Sequence, residues 1–378
     1  MKYIYRYLFY PFLLFSSLNQ STHSATPTVR APTLHSEQTV ISYRDKLVND
    51  YISFPAALRT GEDEILLSYK RGYSHARDPG AVLEIIRYNL KADGITQGPF
   101  RIGMADRVMQ MGEWIRFPNG TIGTFIDAHA INDQNEHIRI GLRYALSTDN
   151  GNTFGPLQRM GLVDGVEYGY LFDTVTIGQR LYALNMTFEY LAGGRRTVDA
   201  MYTDDNGESW HFINNLSKEF GDARINESSL IPYEDGFIVA TRGYDNQQRL
   251  HRVDKQFKLI HETNLTEITP TIASYVGRPR LFMIEDHLFL IGRNRKTSTP
   301  GIKMELGLMR INPDRLTVEK QFVLDNADQR NVTDAYYPFP ILVETESKTL
   351  LNVFDYRAYD KLSPDIIRLQ FDASEFLK

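Results

Sequence analysis

Two stretches of the chain follow one pattern: STDNGNTF at residues 147–154 and TDDNGESW at residues 203–210. In each stretch an Asp can accept hydrogen bonds from backbone N–H groups, and a Gly can adopt a positive φ. The closing aromatic residue can then pack under the turn. Asp149 and Asp205 lie 56 positions apart (205 − 149). Two tight hairpins at this separation predict a repeated β architecture.

A looser phrase extends the repeat along the chain. An apolar run, a turn containing Gly or Asp and a second apolar run recur at residues 54–69, 114–126, 171–184, 229–240, 280–291 and 339–354. Six units with a period of roughly 50 residues are typical of four-stranded sheets arranged around an axis. A β-sandwich is the alternative, but it explains the regular period less well. We therefore predict an all-β, six-bladed β-propeller of four-stranded antiparallel sheets over residues 45–378.

The N-terminal segment is predicted to lie outside this fold. Lys2 and Arg6 precede an apolar run at residues 7–15, and small residues follow up to Ala25. This order predicts a signal peptide at residues 1–25 and a secreted or periplasmic protein. A membrane anchor is the alternative, but the run is too short to span a bilayer. Residues 26–44, rich in Pro, Thr and Ser, are predicted to be a flexible lead-in.

The composition excludes several functional classes. The chain has 378 residues, a formal net charge of −5 and no cysteine, which removes disulfide scaffolds and thiol nucleophiles. The acidic balance and the absence of phosphate-binding glycine motifs argue against nucleic acid and nucleotides as partners. No His, Asp or Glu spacing resembles a metal site, so we expect no metal and no cofactor. The 22 Tyr and 21 Phe favour strands and a sugar-binding surface, so a glycan is the expected partner.

Candidate functional residues follow from the position of the axis in a propeller. Inner strands converge there, so side chains at their beginnings and at the ends of the second strands are expected to meet. These positions hold His75, Asp78, Asp127, His129, Asp173, Glu227, Arg242, Arg278, Arg293, Tyr336, Tyr337 and Asp355. Carboxylates, arginines and tyrosines together suit glycoside chemistry. The same side chains can also serve as strand-end caps or structural ion pairs.

Five segments resemble the sialidase (neuraminidase) superfamily. The two hairpins resemble its Asp-box, and NESSL at residues 226–230 followed by Arg242 resembles the Glu-to-Arg blade of exo-sialidases. KRGYSHARDPG at residues 70–80 resembles the loop that bears the sialidase acid, which implies Asp78. DAYYP at residues 334–338 resembles the segment with the nucleophilic tyrosine, which implies Tyr337 or Tyr336.

The resemblance implies a chemistry and an arginine clamp. Sialic acid carries a carboxylate on its anomeric carbon, so a neutral tyrosine activated by Glu227 is a better nucleophile than a carboxylate. Arginines bind that carboxylate through bidentate hydrogen bonds. Arg242 matches one clamp position, while Arg293, Arg278 and Lys303 compete for another, and Asp127 and Asp173 are expected beside the substrate.

One departure concerns the first arginine of the clamp. Sialidases carry Arg-x-Pro at the start of the first blade, where this chain has Ser53-Phe54-Pro55. The missing arginine leaves open a different acidic sugar or a neutral one. His75 is additional to the sialidase set and can act as a base.

Three functional hypotheses follow from these observations. The first is an exo-sialidase-like glycosidase that uses Asp78, Tyr337 and Glu227. The second is a polysaccharide lyase in which His75 and a tyrosine remove the proton beside a uronic-acid carboxylate. The third is a glycan-binding propeller without catalytic activity. A sialoside assay, an ultraviolet assay for unsaturated uronate and a glycan-binding screen distinguish the three.

Overall fold

The computed structural model describes residues 27–42, 50–188, 196–273, 276–298, 301–327, 332–359 and 363–378. The predicted signal peptide lies outside these ranges, and so does the side chain of Lys303. The first strands, β1 (Val29–Arg30) and β2 (Leu34–Ile41), precede six sheets that follow one another along the chain.

The first three sheets are blades 1 to 3. Blade 1 contains β3 (Tyr51–Arg59), β4 (Glu64–Gly72), β5 (Val82–Asn89) and β6 (Gly94–Ile102). Blade 2 contains β7 (Val108–Arg116), β8 (Ile122–Ile131), the short β9 (His137–Arg139), β10 (Arg143–Ser147) and β11 (Gln158–Arg159). Blade 3 contains β12 (Tyr168–Ile177), β13 (Arg180–Thr187), β14 (Thr197–Thr203) and β15 (His211–Asn215).

The remaining sheets are blades 4 to 6. Blade 4 contains β16 (Ile225–Tyr233), β17 (Gly236–Gly243), β18 (Gln248–Asp254) and β19 (Leu259–Asn264). Blade 5 contains β20 (Val276–Ile284), β21 (His287–Ser298), β22 (Gly301–Asn312) and β23 (Thr317–Asn326). Blade 6 contains β24 (Val332–Ala335), β25 (Phe339–Glu344), β26 (Thr349–Tyr359) and β27 (Asp365–Asp372).

The six blades form a closed ring. Inner strands of consecutive blades are in contact, and β3 of blade 1 contacts β25 and β26 of blade 6. The fold is therefore a six-bladed β-propeller of antiparallel sheets, and the prediction made from the six repeated phrases is confirmed.

The N-terminal segment helps to close the ring. Strand β2 pairs antiparallel with β27 and forms the outer edge of blade 6, and β1 pairs parallel with β23 of blade 5. The prediction of a flexible lead-in at residues 26–44 is therefore wrong for residues 34–41. Strand β27, with which these residues pair, lies more than 300 positions away in sequence. Without that partner, the alternating polar residues of an outer strand resemble a linker.

Apolar side chains fill the spaces between adjacent blades. Tyr182 and Phe257 pack against Phe237 between blades 3 and 4, each at a ring-centroid distance of 4.9 Å. Phe322 and Phe371 pack against Phe376 between blades 5 and 6. Successive side chains of a strand point to opposite faces of the sheet, so each strand contributes to the interfaces on both sides of its blade. The core is thus divided among the blade interfaces and leaves the axis available for polar groups.

The two hairpins at residues 147–154 and 203–210 have the expected geometry. Asp149 accepts hydrogen bonds from the Thr153 N–H at 2.9 Å and the Thr153 hydroxyl at 2.6 Å, and Asp205 accepts the equivalent bonds from Ser209. Gly151 has φ of 82° and Gly207 has φ of 88°. Both hairpins connect the third and fourth strands of their blades, at the face opposite to the beginnings of the inner strands.

Helix contributes little to the described structure. The three described helices, α1 (Leu216–Glu219), α2 (Leu265–Ile268) and α3 (Ser374–Leu377), have four residues each. None of these helices can cross a bilayer.

Candidate functional site

A cavity of about 150 Å³ lies at the propeller axis. Its wall is formed where the inner strands begin and the second strands end, as the sequence pattern predicts. The apolar and aromatic part of the wall consists of Phe54, Met111, Tyr170, Met186, Phe188, Tyr244 and Tyr337. The polar part consists of His75, Gln110, Asp127, Arg139, Arg196, Asn226 and Glu227. An aromatic wall with a few charged groups suits a sugar, which presents both apolar faces and hydroxyl groups.

Irregularities in the inner strands set the direction of several of these side chains. The inner strands of blades 1 to 5 each shift register against their neighbours near the cavity. Phe54 has φ of 57° and Arg278 has φ of 47°, both in the left-handed region. A β-bulge adds one residue to a strand and re-aims the side chains beside it. These bulges allow neighbouring residues such as Asn226 and Glu227 to face the same cavity.

Glu227 and Tyr337 form the central contact of the site. The Tyr337 hydroxyl donates a short hydrogen bond to Glu227 Oε1, although the two residues belong to blades 6 and 4. Glu227 Oε2 accepts bonds from Arg242 Nη1 and from the backbone N–H of Arg278, both at 2.8 Å. Both carboxylate oxygens therefore have partners, and the Tyr337 hydroxyl is directed at one of them.

The charge of Glu227 is maintained against its burial. Burial alone would raise the pKa of this carboxyl group, but the Arg242 guanidinium and the hydrogen bonds from Tyr337 and Arg278 lower the pKa to about 2. Glu227 is therefore ionised at neutral pH and able to accept a proton from the phenol.

Three contacts fix the position of the Tyr337 ring. The Arg293 guanidinium carbon lies 5.2 Å from the ring centroid, and Phe54 packs edge-on at a centroid distance of 5.0 Å. The Tyr337 N–H donates to Asp355 Oδ1 at 2.7 Å. Burial raises the pKa of Asp355 to about 8, so this carboxyl group is largely neutral at pH 7. Arg293 also donates to the Ala335 carbonyl at 2.9 Å.

His75 is the second titratable group at the cavity wall. Its Nδ1 lies 2.8 Å from Asp334 Oδ2, which also accepts a short bond from the Tyr51 hydroxyl. Burial alone would raise the pKa of Asp334, but its contacts with His75 and Tyr51 lower it, so the carboxylate remains charged. A carboxylate at Nδ1 directs a proton to that nitrogen and leaves Nε2 for chemistry. Phe54 lies between the two reactive groups, with its ring centroid 5.0 Å from both His75 and Tyr337.

Asp78 is not at the cavity wall, contrary to the prediction that it is the catalytic acid. Its side chain is fully buried and forms an ion pair with Lys70 Nζ at 2.8 Å. The N–H groups of Tyr73 and Ser74 also donate to its carboxylate. Lys70 in turn donates to the carbonyl of His75 at 2.9 Å. The buried pair thus supports the loop that carries His75.

Five further predicted site residues also lie away from the wall. Two of them, Arg242 and Arg293, stand behind it and contact Glu227 and the Tyr337 ring, respectively. The other three have internal partners. The Tyr336 side chain is buried with its hydroxyl bonded to Asp325 at 2.8 Å, which follows from the positive φ of 71° at Tyr336. Arg278 is 1% exposed and forms an ion pair with Glu113, so its side chain is internal. Asp173 accepts bonds from the Ser229 hydroxyl and the Leu230 N–H and ties blade 3 to blade 4. The expectation that Arg278 and Asp173 contact substrate is therefore corrected, and of the two tyrosines it is Tyr337 that faces the cavity.

Blades 2 and 3 supply the remaining charges. Arg139 Nη1 contacts both oxygens of Asp127, at 2.5 and 2.6 Å. Its guanidinium carbon lies 4.1 Å from the Phe188 ring centroid, and that of Arg196 lies 5.7 Å from the same ring. His129 donates from Nε2 to the Ala76 carbonyl at 3.0 Å and supports the loop between β4 and β5 from behind the wall.

Several residues of the wall were not among those predicted from the sequence. Gln110 and Tyr170 begin inner strands, and Tyr244 follows the second strand of blade 4, so the positional rule used for Glu227 also applies to them. Their residue types carried no separate signal. Arg139 and Arg196 lie on a short strand and a connecting segment that the repeated phrase does not include. Within the described ranges, no group of three or more His, Asp or Glu side chains could hold a metal ion.

Comparison with known proteins identifies the fold but gives no sequence match. No family model matches the chain, and no curated protein is similar to it in sequence. A Dyadobacter fermentans protein of unknown function has a TM-score of 0.69 at 13% identity, over 90% of this chain and 98% of that one. Trypanosoma rangeli sialidase in complex with sialic acid has a TM-score of 0.58 at 10% identity, over 93% of this chain and 61% of that one.

A third similar structure comes from a different enzyme. The α-L-arabinofuranosidase from Fusarium graminearum has a TM-score of 0.55 at 10% identity, over 94% of this chain and 100% of that one. The chain therefore has the six-bladed propeller fold found in sialidases and in this arabinofuranosidase, as the sequence resemblance implied. At these identities the similarity concerns the fold, and the chemistry must be argued from the cavity.

Proposed function

We propose that this protein is a glycoside hydrolase in which Tyr337 is the nucleophile and Glu227 is its base. The observation that carries the proposal is the hydrogen bond from the Tyr337 hydroxyl to a Glu227 carboxylate that Arg242 keeps ionised. A nucleophile within hydrogen-bond reach of an oriented base is the arrangement expected for covalent catalysis. The similarity of fold to two glycosidases is compatible with this chemistry but does not carry it.

The proposed first step forms a covalent intermediate. The Tyr337 oxygen bonds to the anomeric carbon while the glycosidic C–O bond breaks, and the phenol proton passes to Glu227. Protonated His75 donates its Nε2 proton to the departing oxygen. We assign the acid to His75 in place of Asp78 because His75 lies at the cavity wall and is oriented by Asp334.

The second step releases the sugar. Neutral His75 accepts a proton from water, and the water oxygen bonds to the anomeric carbon as the bond from that carbon to the Tyr337 oxygen breaks. Glu227 returns its proton to the Tyr337 oxygen. Two displacements at one carbon retain the anomeric configuration. The glycan is the only partner that this mechanism needs, and it uses neither a metal nor a cofactor.

The experiment is a hydrolysis screen with wild-type protein on fluorogenic glycosides of both anomeric configurations, including a sialoside. Product configuration is then followed by proton NMR in the first minutes of the reaction. We expect hydrolysis with retention. Inversion would exclude a covalent Tyr337 intermediate, and hydrolysis that Tyr337→Phe leaves intact would exclude the mechanism.

A polysaccharide lyase is a second candidate, favoured by the His75–Asp334 contact beside a tyrosine. In such a reaction neutral His75 would remove the C5 proton of a uronic acid, and Tyr337 would protonate the leaving oxygen. The bond from Tyr337 to Glu227 is less suited to this role, because the phenol proton is directed at a carboxylate. An ultraviolet signal of unsaturated uronate on incubation with uronic-acid polysaccharides would establish the lyase.

The proposed place of action rests on the signal peptide predicted from the sequence. We propose that residues 1–25 direct export and that the mature propeller meets its glycan outside the cytoplasm. Detection of the mature N-terminus after expression in a secreting host tests this proposal. A mature chain that still begins at Met1 would contradict it.

A further inference from the structure

The cationic side chains near Tyr337 are already engaged by the protein. Arg242 bonds to Glu227, while Arg293 bonds to the Ala335 carbonyl and lies 3.5 Å from Asp334. Arg278 and Arg280 both pair with Glu113. Position 53, where sialidases carry the first clamp arginine, is a serine. A carboxylate on the reacting carbon would therefore find these guanidinium groups committed to internal partners.

Arg196 differs from these arginines. It is exposed and lines the cavity, and within the described ranges no carboxylate forms an ion pair with it. Arg139 lies beside it, since both guanidinium groups pack against the Phe188 ring. Contact with an aromatic ring restricts the motion of a guanidinium group and presents its N–H donors in a fixed orientation. Among the residues that the structure describes, Arg196 therefore has no ion-pair partner, and an anionic ligand could supply one.

The order of the blades around the propeller axis sets the position of Arg196 relative to Tyr337. Tyr337 belongs to blade 6, whereas Phe188 and Arg196 connect β13 and β14 of blade 3. Among six blades arranged around one axis, blade 3 lies opposite blade 6. A sugar whose anomeric carbon faces Tyr337 would therefore present its far side to Arg196. In a pyranose this far side comprises C3, C4 and C5, and the carboxylate of a hexuronic acid is attached to C5.

We propose, on the basis of the glycosidase function above, that the substrate is a sugar with an anionic group on the C5 side, bound by Arg196. A hexuronic acid carries a carboxylate at this position, and a hexose 6-sulfate carries a sulfate there. Sialic acid does not fit, because its carboxylate is on the anomeric carbon, beside the nucleophile. Guanidinium groups bind either anion through paired charge-assisted hydrogen bonds. Asp127, bonded to Arg139, is placed to accept bonds from sugar hydroxyl groups.

The experiment measures binding separately from catalysis. Tyr337→Phe protein is titrated by calorimetry with the methyl glycosides of glucose, glucuronic acid, galacturonic acid and mannuronic acid, with glucose 6-sulfate, and with methyl sialoside. We expect at least one hexuronide or the 6-sulfate to bind about tenfold or more tightly than methyl glucoside. The Arg196→Gln change should remove that preference and leave the affinity for methyl glucoside unchanged.

Arg180→Gln is the matched control. Arg180 is in the same blade and its guanidinium carbon lies 4.0 Å from the Tyr202 ring centroid, but it is at the other end of β13 and pairs with Asp204. This variant should retain the preference for the anionic sugar. A carboxylate that binds better than the sulfate identifies uronic acids, and the reverse order identifies sulfated hexoses.

Two results would overturn the inference. One is tighter binding of the sialoside than of every C5-anionic probe, and the other is a preference for an anionic probe that Arg196→Gln does not reduce. Absence of any preference over methyl glucoside would also overturn it. None of these results depends on turnover, so a protein that binds uronides through Arg196 but hydrolyses no glycoside would refute only the proposed function.

Discussion

Blades 4 to 6 and blades 1 to 3 contribute different kinds of group to the axial cavity. Blades 4 and 6 supply Glu227 and Tyr337, which bond directly to each other and have further protein partners. Blade 3 presents Arg196 at the opposite side without an ion-pair partner among the described residues, and blade 1 presents a half-exposed His75. On the side of blades 4 to 6, the reactive groups already have hydrogen-bond partners within the protein. On the side of blades 1 to 3, Arg196 can bind a ligand.

This difference separates the nucleophile and its base from the group proposed to recognise the substrate. A group whose hydrogen bonds are complete within the protein is oriented before the substrate arrives, which reduces the reorganisation needed in the transition state. A charged group without a protein partner gains more from a ligand. The contrast predicts that substitutions in blades 4 and 6 reduce turnover and that Arg196 controls affinity.

The largest expected effect is that of Tyr337→Phe. Removal of the hydroxyl should reduce kcat by at least about 10³-fold and leave substrate affinity largely unchanged, because the bond to the sugar forms only during reaction. Tyr336→Phe is the matched control, since its hydroxyl bonds to buried Asp325 instead of facing the cavity. Steady-state kinetics on the best fluorogenic glycoside measure both. Equal turnover by Tyr337→Phe and wild type would contradict the distinction between the blade 4–6 side and the blade 1–3 side of the cavity.

The next effect concerns stability at blade 1. Asp78→Asn leaves the buried Lys70 ammonium without its ion-pair partner, so the free energy of unfolding should fall by about 3–5 kcal/mol. Asp204→Asn, which breaks an exposed pair with Arg180, should cost less than about 1 kcal/mol. Urea titration of both variants gives the comparison.

The same variants also test the role first predicted for Asp78. If Asp78 were the catalytic acid, Asp78→Asn would abolish turnover with little change in stability. A second variant that combines Asp78→Asn with Lys70→Met should recover part of the lost stability, because it removes the unpaired charge.

His75→Gln should slow the reaction by about 10²-fold on glycosides with poor leaving groups. The effect should be much smaller on aryl glycosides, whose leaving oxygen needs little protonation. Asp334→Asn should follow the same pattern to a lesser degree, because it acts through the orientation of His75. An equal effect of His75→Gln on both classes of leaving group would contradict the assignment of His75 as the acid.

A further prediction concerns the pH dependence of stability at Asp355. Burial raises its pKa from 3.8 to about 8, so the folded protein holds a proton that the unfolded chain has released. Its contribution to stability is complete below pH 4 and is lost as the pH rises towards 8, by at most about 1.4 kcal/mol for each pH unit. Asp355→Asn should remove this part of the pH dependence. Unfolding curves between pH 5 and 9 that decline equally in both proteins would show that Asp355 is ionised in the fold.

The fold could be predicted from sequence because each blade is local. Consecutive strands pair within one unit of about 50 residues, and turn signals such as those at Gly151 and Gly207 mark the same point in successive units. The exceptions are β1 and β2, whose partners β23 and β27 lie near the other end of the chain. Long-range pairing of an outer strand leaves no local pattern.

The candidate site could be predicted only in part, for a physical reason. Position along the blades identified Glu227, Tyr337 and His75, because the ends of strands meet at the axis. It failed for Tyr336 and Arg278, because a bulge or a positive φ changes the side of the sheet that a residue faces. Asp78 was selected from a resemblance of its loop, but it is buried in an ion pair with Lys70 of the preceding strand, β4.

Covalent trapping of the nucleophile tests the proposed mechanism without relying on turnover. Wild-type protein is incubated with a 2-fluoro glycosyl fluoride of the preferred sugar, digested and analysed by tandem mass spectrometry. We predict a glycosyl adduct on the Tyr337 oxygen and none in Tyr337→Phe protein. An adduct on Glu227, on Asp127 or on Tyr336 would contradict the account.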